Sequence, residues 1–155
     1  MDAVFQALQG SAFAAGMRGS LVLYPLANVL HVLGALGFFA AVAAMDVRVF
    51  SAADVGSARA FIRRVRPFAV GAFLVQLISG VMLLAPEALH IWHNPLFRVK
   101  LAAIAIGLVN VVILELTIAA RPEVSAPSGA LRTSAGASLA LWLGTAAAGR
   151  LIAYF

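Results

Sequence analysis

The chain has 155 residues, 63% of them hydrophobic and 11% charged, whereas soluble domains are typically about half apolar and a quarter charged; a soluble core of this size is excluded. The net charge of +5 does not point to nucleic acid, because the basic residues cluster at the ends of apolar segments, as membrane topology requires. Cysteine is absent, which removes a disulfide frame, a thiolate metal site and a CxxC haem attachment.

Residues 1–19 contain Asp2 and no basic n-region, so they do not read as a cleavable signal. Phe5, Leu8, Ala12 and Phe13 fall at the spacing of one helical face. Gly16 and Gly19 are expected to interrupt that helix, which would lie on the outer membrane face. Leu21 to Met45 then runs without one formal charge and carries His31 near its centre. About 20 apolar residues suffice to cross a bilayer as a helix. Three further segments meet that length: Pro67–Pro86, Leu96–Ala120 and Thr133–Phe155. The connector Asp46–Arg66 is the most charged, Glu87–Pro95 reads as a tight polar turn, and Arg121–Arg132 is rich in Pro, Ser, Gly and Ala. The expected fold is an all-α integral membrane four-helix bundle with a short N-terminal interfacial helix. Its spans are about 21–45, 67–86, 96–120 and 133–155, forming one domain.

Arg48, Arg59, Arg63, Arg64 and Arg66 in the first connector and Arg121 and Arg132 in the third face Arg18, Arg98, Lys100 and Arg150 on the other side. That excess places the first and third connectors in the cytoplasm and both termini outside, periplasmic in a bacterium. Helix contacts in lipid use small residues. Gly136, Ala140, Gly144 and Ala148 supply such a stripe in the fourth span, Ala103 and Gly107 in the third, and Gly34 and Gly37 in the first.

His31 lies roughly 15 Å below the outer face, at about 1.5 Å of rise per residue. Gln76, Asn110 and Thr145 are near the middle of their spans, and Asn28 precedes His31 by three residues. These five side chains can meet in the interior, where unsatisfied polar groups cost several kcal/mol. They serve either as interhelical hydrogen-bond glue or as a site in which neutral His31 binds a metal or haem iron or relays a proton.

His90 and His93, with Met82 eight residues before His90, form a second group. Imidazole suits copper, zinc, iron and nickel, and thioether sulfur suits Cu(I). Trp92 and both histidines equally fit an interfacial belt of amphipathic rings. By depth this group belongs to the outer rim, away from His31. Asp46 and Arg48 close the first span. Glu115 lies about one turn from Arg121 in depth, within snorkelling reach. Arg150 is placed to pair with Glu87 or the terminal carboxylate, or to cap an anionic ligand. No phosphate loop, HExxH or GxSxG constellation is present, so no catalytic residue is assigned.

Across nearly its whole length the chain resembles a group of small four-span bacterial inner-membrane proteins with no established activity. The carrying residues are Ala7-Leu8-Gln9, Tyr24-Pro25-Leu26, Asn28, Leu30-His31-Val32-Leu33-Gly34, Asp46-Val47-Arg48, Ser79-Gly80, Asn94 to Lys100, Asn110, Trp142 and Gly149-Arg150-Leu151-Ile152-Ala153-Tyr154. More loosely, the His-x-x-Gly first span is similar to copper-resistance membrane domains of the CopD type, which implies copper handling. Under the resemblance His31 belongs to the pattern and His90 and His93 depart from it. It singles out Asn28, His31, Lys100, Asn110 and Arg150.

The expectation is a non-enzymatic inner-membrane protein binding a transition metal, copper first, in transport or homeostasis. His31 is the interior ligand, and Met82, His90 and His93 form an outer capture site. Two alternatives stand beside it: a b-haem electron carrier in a membrane complex, and a structural or accessory subunit without a cofactor. The partners expected are the lipid bilayer, a membrane or periplasmic protein, or a second copy, and no nucleic acid.

Overall fold

The computed structural model describes the backbone of residues 1–151 and the side chains of residues 1–149. The described chain is helical throughout, without a strand. Helices α1 (Asp2–Gln9) and α2 (Ala12–Gly19) precede α3 (Leu23–Ser51) and α4 (Val55–Leu84). A 3₁₀ turn, Ala85–Glu87, and the short α5 (Ala88–His93) lead into α6 (Pro95–Ala119) and α7 (Gly129–Leu151).

Three stretches are long and apolar enough to cross a membrane: Leu23–Ser51, Val55–His93 and Pro95–Ala119. Large apolar side chains such as Leu33, Leu36, Val70, Ile78, Ile106, Val109 and Leu116 are exposed along them. So much outward apolar surface needs lipid against it, and the protein is a membrane protein. The fourth expected span, 133–155, extends past the described residues.

Capping residues place the helix ends. Asp54 accepts from Ser57 N–H at 2.7 Å and starts α4, and Asn94 accepts from Leu96 N–H at 2.9 Å and starts α6, with Pro95 at the position where a missing N–H costs nothing. Five boundaries differ from expectation. Helix α3 runs past Met45, Asp46 and Arg48 to Ser51. The N-terminal segment is two helices, because Ser11 accepts from Ala14 N–H and opens α2; Gly16 and Gly19 then lie inside α2. The second long helix starts at Val55 and runs through Pro67. The segment 88–93, expected as turn, is helix α5. The last helix starts at Gly129.

Helix α3 is the centre of the packing. It lies along α4 on one side and α7 on the other, and α6 packs on α7. Its inward stripe is Ala27, Gly34, Phe38, Ala41, Met45 and Val49, the three-and-four spacing of a helix seam. The α3 and α4 backbones approach closely at Gly34: a Cβ there would meet Gln76 N at 2.9 Å and Ala72 O at 3.1 Å. Only a residue without a side chain allows those backbones together. Phe38 bridges the two interfaces, tilted against Phe73 at 5.3 Å and edge-on to Trp142 at 4.6 Å. Trp142 in turn fills the space left by Gly107, where a Cβ would sit 2.7 Å from Cζ2.

The expected small-residue stripe of the last helix is not its packing face. Ala140 and Gly144 are exposed, and Leu131, Ala135, Ser138, Trp142 and Thr145 are buried instead. Gly136 does serve a contact, lying under the Phe50 ring.

Candidate functional site around His31

His31 projects from α3 onto α4, where Gly80 leaves room for its ring: a Cβ at position 80 would lie 3.2 Å from His31 Cε1. Nδ1 lies 3.0 Å from the Gln76 carbonyl oxygen and 3.2 Å from Ser79 Oγ. A carbonyl only accepts, so Nδ1 carries the proton and donates. Ser79 is free to accept as well, because its own hydroxyl proton goes to Val75 O at 2.6 Å. The neutral ring therefore keeps its lone pair on Nε2. The side chain is half-buried, held against α4 and not sealed in the packed centre.

The other intramembrane polar residues separate. Asn110 on α6 pairs with Ser134 on α7: its Nδ2 donates to Ser134 O at 3.3 Å, and its Oδ1 accepts from the Ser134 hydroxyl at 2.8 Å. Thr145 is buried and donates to Leu141 O of its own helix at 2.8 Å. Gln76 contributes its backbone carbonyl to His31. Asn28 is exposed. The five side chains do not converge. Lys100 of α6 is half-buried and lies within electrostatic reach of His31. Its stem crosses Gly149 of α7, where a Cβ would be 3.0 Å from Nζ.

At the α5 end, His90 and His93 are exposed and border an open depression of about 560 Å³ with Asn94, Pro95 and Leu96. Met82 is half-buried and does not line it. Among the described residues no three His, Asp or Glu side chains gather closely enough to hold one metal ion. His93 instead faces Asp2 of α1, Nε2 to Oδ2 at 3.6 Å. Around that contact Trp92 donates to Asp2 Oδ1 at 3.1 Å, stacks on Phe5 at 4.4 Å and lies under the Arg98 guanidinium at 5.9 Å. Further along, Leu89 N–H donates to Gln9 Oε1 at 2.9 Å, and Arg18 donates to Pro86 O at 2.9 Å and Gln9 O at 3.2 Å. These bonds fasten α1 and α2 onto the turn and α5.

The ionic expectations resolve differently. Glu115 pairs with Arg66 of α4 at 2.8 Å and not with Arg121. Glu87 is exposed. Arg48 is half-buried, and its Nε lacks a partner. Asp46, read as a boundary residue, is 2% exposed. The Arg150 side chain lies outside the described residues. Arg59, which the sequence marked only as a topology charge, donates to Ile118 O and Arg121 O at 2.8 Å and to Glu123 at 3.0 Å. It thereby satisfies carbonyls left over at the end of α6.

No known protein family, curated protein or solved structure matches the chain.

Proposed function

We propose that this is a non-enzymatic protein of a bacterial inner membrane, crossing it four times with both termini periplasmic, that binds a transition metal through Nε2 of His31. Copper is the first candidate, in membrane transport or homeostasis. The observation that carries the reading is the Nδ1–H···O=C bond to Gln76. Metal-binding imidazoles use such a bond to fix tautomer and orientation and to raise the basicity of the other nitrogen. An ionisable group set into an apolar span is expensive and marks function. His90 and His93 act separately, as a rim site through which the ion enters. Seven arginines in the first and third connectors support the orientation.

The same bond also favours a second reading, because it ties α3 to α4: an accessory membrane subunit without a cofactor, with His31 as interhelical glue. Elemental analysis and an absorption spectrum of purified protein separate these readings. Stoichiometric copper in the natural protein, lost in His31→Ala and kept in the His90→Ala/His93→Ala variant, is the expected result. A Soret band abolished by His31→Ala assigns b-type haem to the same nitrogen. Protein without metal or colour in both forms overturns the metal reading and leaves the structural one.

A further inference from the structure

Asp46 is the most deeply enclosed charged residue among those described, 2% exposed. It lies on α3 between Phe38, which meets Trp142 of α7, and Phe50, which meets Gly136 of α7, and Ser138 of α7, itself 1% exposed, is the polar side chain beside it. Yet neither Asp46 Oδ2 nor Ser138 Oγ completes a hydrogen bond. Ser138 thus lies close enough to act on the Asp46 carboxyl, but Asp46 Oδ2 and Ser138 Oγ are withdrawn from solvent without a well-formed bond. A buried carboxylate in that condition costs several kcal/mol unless a cation or a proton joins it, and orphaned buried polar groups call for a physical account.

Among the described residues no side chain supplies the charge. On α4 and α6 the ions of this region, Arg66 and Glu115, are bonded to each other. Arg59 is spent on the carbonyls ending α6 and on Glu123. Arg48 is two residues along α3, on another face of the helix. The α6 residues buried nearby, Leu114 and Ile118, are apolar, as are Leu131 and Ala135 of α7. One turn before Ser138, Ser134 is already bonded to Asn110 of α6 and belongs to the α6–α7 contact, not to this one.

We propose that Asp46 and Ser138 hold a monovalent alkali cation between α3 and α7. The donors are all oxygen, which suits a hard ion and not a soft one. A single carboxylate neutralises a single positive charge, whereas a divalent ion would leave a net charge in the packed interior. Because the cation links α3 to the α6–α7 pair, its binding stabilises the folded assembly. The site is independent of His31.

The test is thermal unfolding of the detergent-purified full chain in sodium chloride, potassium chloride and choline chloride at equal pH and ionic strength. Ligand that binds only the folded state raises the midpoint in a saturable way. A saturable rise with sodium or potassium and none with choline is expected. Asp46→Asn, which keeps shape and removes the charge, is expected to abolish the response. Ser138→Ala is expected to shift the half-saturating salt concentration upward about tenfold, the size of one lost charge-assisted contact. Equal midpoints in all three salts overturn the proposal, as does a full response in Asp46→Asn. A stabilisation that follows pH but not the alkali ion makes the bound species a proton and overturns it too. Should Asp46→Asn fail to fold, Ser138→Ala decides, and an unchanged half-saturation overturns the site.

Discussion

His31 and Asp46 stand on the same helix, and the protein treats them in opposite ways. The histidine is only half-buried, but its Nδ1 faces two oxygens of α4. The aspartate is almost wholly enclosed, but one of its oxygens has no partner. Burial and satisfaction are therefore separate properties. A group that is satisfied on one side is positioned, and what it presents on the other side is its function; for His31 that is the Nε2 lone pair. A group that is enclosed and unsatisfied needs a partner, and for a carboxylate that is a cation or a proton.

The packing around the two residues differs in the same sense. Near His31, α3 and α4 approach backbone to backbone at Gly34, and Gly80 leaves room for the His31 ring itself. Near Asp46 the helices are spaced by side chains such as Met45, Val49 and Leu131. A large side chain at position 34 would meet backbone atoms that cannot move aside, and overpacking typically costs about 1–3 kcal/mol, sometimes more. Gly34→Leu is expected to be the most damaging single change and to yield little folded protein by size-exclusion chromatography. Gly144→Leu, at a position where a Cβ meets nothing within 4 Å, is expected to leave the yield unchanged. Equal yields from both would mean that α3 and α4 do not pack as described.

His31→Ala is expected to lower stability moderately, by about 1 kcal/mol, the net worth of a typical interhelical hydrogen bond. The readout is the thermal midpoint of metal-free protein in detergent. A loss several times larger would favour the purely structural role. Asp46→Asn is expected to change stability in the opposite direction in choline chloride, where no alkali ion is present. Removing an unpaired buried charge relieves its desolvation cost, so the midpoint should hold or rise. A sharp fall would show that the charge already has a partner within the chain.

The smallest effect concerns the rim. Asp2 makes a long, largely exposed contact with His93 and accepts an exposed bond from Trp92, and exposed interactions of this kind contribute about 0–1 kcal/mol each. Asp2→Ala is therefore expected to barely shift the midpoint while loosening α1. Hydrogen exchange at residues 2–9 should rise, and exchange in α3 should stay as it was.

The sequence carried the apolar helices well, because uncharged runs and the Asn94-Pro95 start are local signals. It missed features that depend on rotation or distance. Asn28 seemed to share a face with His31, but the inward stripe of α3 passes through Ala27, Gly34 and Phe38, and Asn28 falls about 100° from Ala27, the angle per residue of a helix. The repeat of small residues on α7 was real, yet spacing alone does not say which face a neighbour covers. Helix α4 begins well before its apolar run because arginine is a good helix former and Asp54 caps it. Asp46 sat at the end of an uncharged run and so read as a boundary; only the placement of Ser138 on another helix shows that it is enclosed. Arg18 and Arg59 bind carbonyls far along the chain, which no local pattern records.

The most direct test of the His31 assignment is X-ray absorption at the copper edge of the copper-loaded protein. An outer-shell imidazole signature is predicted for the natural chain and for the His90→Ala/His93→Ala variant, and its loss is predicted in His31→Ala. The same signature at undiminished strength in His31→Ala would contradict the assignment.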